Sequence, residues 1–193
     1  MIALDDRTFL NLASLPKDSD ERLQKFKRAC VKHIGPFKSM NAKTHISFTG
    51  LRFEADLQSK NFIDPNIHYA LIENILSNVP PIQINIRGFG KLHHGHNSRT
   101  IYAAIEMNGP VFQWFCWVDK VFSNKKTINP HITIARNIPL TSFNKLWPHF
   151  ENRPYEDTFD IMGLNILERV PETKSCVDFR FINFCQTAKK INC

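Results

Sequence analysis

Two short stretches, Thr44-His45-Ile46-Ser47-Phe48-Thr49 and Pro130-His131-Ile132-Thr133-Ile134-Ala135, each place an imidazole two residues before a hydroxyl inside an alternating apolar run. Histidine exchanges protons near neutral pH, and a neighbouring hydroxyl can hydrogen-bond an anionic oxygen. In an extended strand alternate side chains share a face. His45 and Ser47 therefore project together, as do His131 and Thr133, while Ile46, Phe48, Ile132 and Ile134 turn into the core. If the two strands face each other across a cleft, they bring together two proton-transfer groups and two hydrogen-bond donors. In-line attack on a phosphodiester needs that set.

The letters alone are weak. Eight histidines in a chain of this composition give about one accidental H-x-[ST] match, and His96-Asn97-Ser98 supplies it in a polar, glycine-containing stretch. The other two share more: an isoleucine between the partners, a bulky apolar residue after them, and equivalent places in a larger pattern.

That pattern is read from the elements that must hold the histidines. Thr8 to Ala13 reads as a strand, and Asp18-Ser19-Asp20-Glu21 opens a helix with a capping-box pattern, with Leu23, Phe26, Cys30, Val31 and Ile34 on one face until Gly35-Pro36. Asp64-Pro65 starts a second helix, with Ile67, Leu71, Asn74 and Ile75 at helical spacing up to Pro80-Pro81. Ile82, Ile84 and Ile86 alternate as a half-buried strand, 88–99 reads as a connection, and 100–107 as a strand paired with the previous one. A third helix follows Gly109-Pro110, carries Val111, Phe115, Val118 and Phe122, and ends near Lys125-Lys126. A short helix from Thr141 tightens at Pro148, and strands over 157–160, 164–170 and 176–184 close the chain. The order helix, histidine strand, helix, strand thus occurs twice, over about 18–89 and 110–168. We expect one domain over 1–193, α+β, built by internal duplication as two lobes around a central cleft.

Composition bounds the function. The 193 residues suffice for one well-buried unit. No apolar run approaches the roughly 20 residues that span a bilayer, and the acidic start, Met1 to Arg7, lacks a basic region before an apolar stretch. The expected location is the cytoplasm, without membrane association. Cys30, Cys116, Cys176, Cys185 and Cys193 are odd in number, scattered and free of a C-x-x-C pair, as reduced structural cysteines would be. A net charge of +7 favours anionic ligands such as RNA or nucleotides. The 16 phenylalanines read as core filling.

With those elements in place, the chain resembles the two-histidine phosphoesterase superfamily, and within it the 2'-5' RNA ligase or LigT-like branch. Phe9-Leu10-Asn11-Leu12 is similar to the family's opening strand, His45-Ile46-Ser47-Phe48 to its first motif, and Pro130 to Arg136 to its second motif with an Ala-Arg extension. Ser47 stands where threonine is commoner, which keeps the hydroxyl but loses the methyl that restricts its rotamer. The resemblance implies a LigT-like fold and hydrolysis of 2',3'-cyclic phosphates on RNA ends or nucleotides, reversible as 2'-5' RNA ligation. It implies His45 as proton donor and His131 as acceptor, with roles exchanged in the ligation direction. Ser47 and Thr133 would hold the non-bridging oxygens; neither metal nor other cofactor is needed. A monomer is the expected state.

Other residues enter as lesser candidates. Arg136 could neutralise phosphate, yet lies on the opposite parity from His131 and Thr133, so it reaches the cleft only if the strand ends or twists there. Lys43 shares parity with His45 just outside its strand, and Tyr102 could stack on a base or pack in the core. His93-His94-Gly95-His96 offers imidazoles for a metal, but no obvious carboxylate or cysteine completes a ligand set nearby. Trp114 and Trp117 read as packing residues. The alternatives are a non-catalytic RNA- or nucleotide-binding protein on the same fold, and a metal-dependent protein using the His93–His96 stretch.

Overall fold

Period-two and helical stretches alternate along the chain, and the computed structural model, which describes residues 7–53, 63–122, 129–173 and 175–185, resolves them as strands and helices. In chain order they are β1 (Arg7–Ser14), α1 (Lys17–Ile34), β2 (His45–Phe53), α2 (Pro65–Leu76), β3 (Ile82–His94), β4 (Ser98–Ile105), α3 (Gly109–Val121), β5 (His131–Pro139), α4 (Leu140–Leu146) with a 3-10 turn over Trp147–His149, β6 (Glu156–Ile161), β7 (Gly163–Arg169) and β8 (Cys176–Asn183). The 3-10 turn falls at Pro148, which cannot donate to a continuing α-helical ladder. Lys125, Lys126 and Cys193 lie outside the described residues.

The strands form one eight-stranded sheet in the order β6-β3-β4-β5-β2-β1-β7-β8, every neighbouring pair antiparallel. The architecture is α+β, as expected. The two histidine strands are direct neighbours at its centre, joined at the single register pair Ile46↔Ile132. From that joint β1 lies beyond β2 on one side and β4 beyond β5 on the other.

Both isoleucines are fully buried, as are Ile84, Ile101, Ile134 and Leu164. Aromatic clusters fasten helices to strands. Phe26 of α1 meets Phe89, Phe150 and Tyr155, Tyr69 of α2 meets Phe9, Phe53 and Phe179, and Trp114 and Phe115 of α3 meet Phe48. Most of the described phenylalanines fill the core in this way, with tilted and edge-on ring contacts that add to area burial, whereas Phe112 and Phe181 stand about half exposed. Trp117 departs from the packing reading, standing 41% exposed.

Three elements differ from expectation for identifiable reasons. Helix α1 begins at Lys17 behind Pro16 with no side-chain cap. The carboxylate of Asp20 instead accepts from the N–H and Oγ1–H of Thr44, at 2.8 and 2.6 Å. In α2 the buried face is Pro65, Tyr69, Ile72 and Leu76, while Ile67, Leu71 and Ile75 are exposed. Apolar residues on both sides left the stripe ambiguous. The stretch read as a connection over 88–99 is mostly strand. β3 runs on to His94, pairing His93 with Arg99 and His94 with Ser98, and the reversal is confined to Gly95–Asn97, opened by Gly95 at φ 60°. Backbone pairing overrides polar composition there.

Candidate active site

At the central joint, Ile46 opposite Ile132 in an antiparallel pair sets His45 across from Thr133 and Ser47 across from His131. The isoleucines point into the core, so the four polar side chains form the corners of one patch on the other sheet face. The histidines occupy diagonal corners, a relation that spans roughly 7 Å. Convergence therefore comes from adjacency within one sheet, where separate facing walls were anticipated.

Each imidazole is oriented in the same way. Nδ1–H of His45 donates to the carbonyl of Lys43 at 2.9 Å, and Nδ1–H of His131 to the carbonyl of Asn129 at 2.7 Å. A carbonyl can only accept, so both rings carry hydrogen on Nδ1 and leave Nε2 to give or take a proton. His45 sits in a basic, partly dry environment. Burial pushes its imidazole below the ordinary histidine value; the bond to the Lys43 carbonyl opposes this, and Lys27, Arg136 and His131 act with burial.

Around this patch lies a cleft of about 250 Å³ lined by Lys27, Ser39, Ala42, Lys43, His45, Ser47, Leu92, His94, Thr100, His131, Thr133 and Arg136. It includes all four motif residues together with Lys43 and Arg136. Arg136 arrives despite its parity because the strand bulges. Ile134 and Ala135 are both buried in succession, the β4–β5 register shifts beside them, and Asn137 adopts φ 52°. The register shifts twice here, and the extra residue between Thr133 and Ala135 resets the alternation and turns Arg136 to the cleft. Its backbone N–H donates to Ser39 Oγ at 3.0 Å, and that of Asn137 to Thr100 Oγ1 at 2.9 Å.

Tyr102 is not a lining residue. Its ring stands 5.2 Å from that of His131 and lies over Gly90, where a Cβ would meet the phenol at 2.4 Å.

The sequence reading did not point to Lys27, Ser39 or Thr100, and pointed to His94 only as one imidazole of the His93–His96 metal candidate. Lys27 had a signal: on α1 it falls in the stripe Ser19, Leu23, Lys27, Cys30, a lysine at a core position, and it is 1% exposed. Its Nζ donates to the carbonyls of Ala42 at 2.7 Å and Ser39 at 3.2 Å. Desolvation lowers its pKa, opposed by Asp20. Asp20 in turn is raised by burial, but the hydrogen bonds from Thr44 and Gln24, with Lys27, outweigh this and hold it below the usual carboxylate range. His94 Nε2 lies 2.8 Å from Thr100 Oγ1. His93 precedes it on the strand and so projects from the opposite face, and His96 is in the turn. No group of three or more His, Cys, Asp or Glu is gathered for a metal among the described residues. Burial pushes the Cys30 thiol up to about 11, which removes it as a nucleophile near neutral pH.

The fold matches that of several solved proteins. The chain has the fold of LigT, with sheet and helices corresponding over nearly its whole length. LigT of E. coli complexed with 3'-AMP superposes with a TM-score of 0.63 at 8% identity, covering 93% of this chain and 99% of that one. TT0787 of Thermus thermophilus gives 0.56 at 16% identity, covering 91% and 97%. A protein described as a phosphoesterase gives 0.57 at 9% identity, covering 94% and 100%. No family model matches the chain, and no curated protein matches it in sequence. The likeness is one of fold. No helix among the described residues is long and apolar enough to cross a membrane.

Proposed function

We propose that this protein is a two-histidine phosphoesterase that opens 2',3'-cyclic phosphates on RNA ends or nucleotides, and that a 5'-hydroxyl attacking in place of water, with the ribose 3'-oxygen leaving, joins RNA ends through a 2'-5' bond in a step the same site can run in reverse. The observation that carries the reading is the diagonal pair of imidazoles, each with Nδ1–H fixed on a carbonyl and both lining one basic cleft. The nucleotide complex of the LigT neighbour, which holds 3'-AMP, supports the substrate class.

In the hydrolytic direction Nε2 of His131 takes a proton from water as its oxygen attacks phosphorus. Nε2–H of His45 protonates the departing ribose oxygen on the opposite side. Ser47 and Thr133 donate hydrogen bonds to the non-bridging oxygens, where negative charge accumulates in the transition state. The two imidazoles supply both proton transfers, so the reaction needs no metal. For His45 to act as donor it must be protonated in the complex. Burial and neighbouring cations oppose this in the free protein; an arriving phosphate anion reverses the balance.

Replacing His45 or His131 by alanine is expected to lower hydrolysis of a cyclic-phosphate nucleotide or RNA by about 100- to 10,000-fold each, the usual contribution of a general acid or base. Full turnover in both variants would refute the reading. Steeply salt-dependent RNA binding with no turnover by the unaltered protein would instead identify a binding module.

A further inference from the structure

The cleft carries more positive charge than one cyclic phosphate calls for, and carries it at one end. Lys27, Lys43 and Arg136 line it, with no carboxylate lining it among the described residues, whereas a cyclic phosphodiester bears one negative charge. The local twofold that exchanges His45 with His131 sets Lys43 against Asn129 and Arg136 against Gly50, so neither charge is repeated at the other end.

The three cations border one short segment. The antiparallel register carries Arg136 past Ile132 alongside the residues preceding His45. Arg136 N–H donates to Ser39 Oγ, and Lys27 Nζ donates to the carbonyls of Ser39 and Ala42. Lys43 comes next in the chain. Burying an ammonium is unfavourable unless its donors are used, and two carbonyls leave one of Lys27's three N–H groups for the cleft it lines. Among the described residues neither Lys43 nor Arg136 is engaged in an ion pair.

We propose, building on the phosphoesterase reading, that Lys27, Lys43 and Arg136 form a second anion subsite beside His45. It takes the phosphate on O5' of the nucleotide whose cyclic phosphate reacts. The preferred substrate is then a 5'-phosphorylated nucleotide end, and a nucleoside 2',3'-cyclic phosphate is a truncated one.

The test compares kcat/KM at low ionic strength for three compounds: adenosine 2',3'-cyclic phosphate, its 5'-phosphate, and a dinucleotide ending in the same cyclic phosphate. A phosphate on O5' should raise kcat/KM about tenfold or more, the scale of a charge-assisted hydrogen bond. The advantage should shrink to about twofold or less in Lys27→Met and in Lys43→Gln; Lys43 is exposed, so its replacement leaves folding intact should Lys27→Met fail to fold. A gain with the monoester alone marks a mononucleotide substrate, and an equal or larger gain with the dinucleotide marks an RNA end. Turnover indifferent to the O5' phosphate would overturn the subsite and leave the phosphoesterase reading standing. If nothing is turned over, that reading falls, and calorimetry with 3'-AMP and adenosine 3',5'-bisphosphate decides the subsite alone. Binding of the bisphosphate about tenfold tighter, lost in Lys43→Gln, would support it. Equal affinities would overturn it.

Discussion

At the scale of single residues, the imidazole of His45 is governed by groups distant in sequence. Lys27 ties down the Ala42 carbonyl and Asp20 ties down Thr44, so the intervening Lys43 carbonyl is fixed where it receives Nδ1–H. The pair His45 and His131 was legible from strand parity and matched context. Lys27 and Asp20 were not, because one resembled a misplaced charge on an apolar helix face and the other a helix cap. Only the fold shows both reaching across to the segment that leads into β2. The same surroundings make a directional prediction. His45 should titrate below the ordinary histidine value of about 6.5 in the free protein, rise when inorganic phosphate occupies the cleft, and rise without phosphate in Arg136→Gln, since that change removes a repelling cation. Histidine-resolved NMR titration measures all three. A His45 titration unmoved by saturating phosphate would place the bound anion away from this imidazole.

At the scale of elements, the bulge in β5 separates what periodicity can foresee from what it cannot. Alternation assigns His131, Ile132, Thr133 and Ile134 correctly and then sends Arg136 to the wrong face, because parity has no term for an inserted residue. The cue was Asn137, among the non-glycine residues that most readily enter the left-handed region. The α2 stripe failed for a different reason: apolar residues occupy both faces, and the choice between Ile67–Leu71–Ile75 and Tyr69–Ile72–Leu76 is made by what the rest of the sheet offers to pack against. The bulge should be testable through its backbone. At φ 52°, Asn137→Val is expected to cost roughly 1–2 kcal/mol and to impair phosphoester hydrolysis by turning Arg136 away, whereas Asn137→Gly should leave stability nearly unchanged. Denaturant unfolding with parallel kinetics checks both. Equal stability for the valine and glycine variants would show that the bulge does not depend on this conformation.

For the molecule as a whole, stability against pH follows from which titrating groups the fold has shifted and in which direction. Burial lowers the pKa of both His45 and His68. The Nε2 of His68 is buried with no hydrogen-bond partner among the described residues, and its ring packs on Phe53 and Tyr69. A histidine whose folded pKa lies below its unfolded value binds more protons when unfolded, so its contribution is complete above about pH 6.5 and is lost as pH falls through the folded values. Glu168 is held below the ordinary carboxylate range chiefly by the side-chain hydrogen bonds from Arg7. Asp157 is raised by burial, but the bonds from Arg22, Ser19 and Tyr155 outweigh this and leave it lowered, as those from Thr44 do for Asp20. These carboxylates withdraw their stabilisation only as pH falls below about 4 through their own folded values. The melting temperature should therefore decline in two steps on acidification, a first beginning near pH 6.5 and a second below about pH 4. His68→Phe keeps an aromatic ring against Phe53 and Tyr69 and removes one of the two shifted histidines, so it should shrink the first step and leave the second in place. Calorimetric scans of both proteins across that range measure the difference, and an acid limb identical in the variant would show that His68 is not held neutral by its burial.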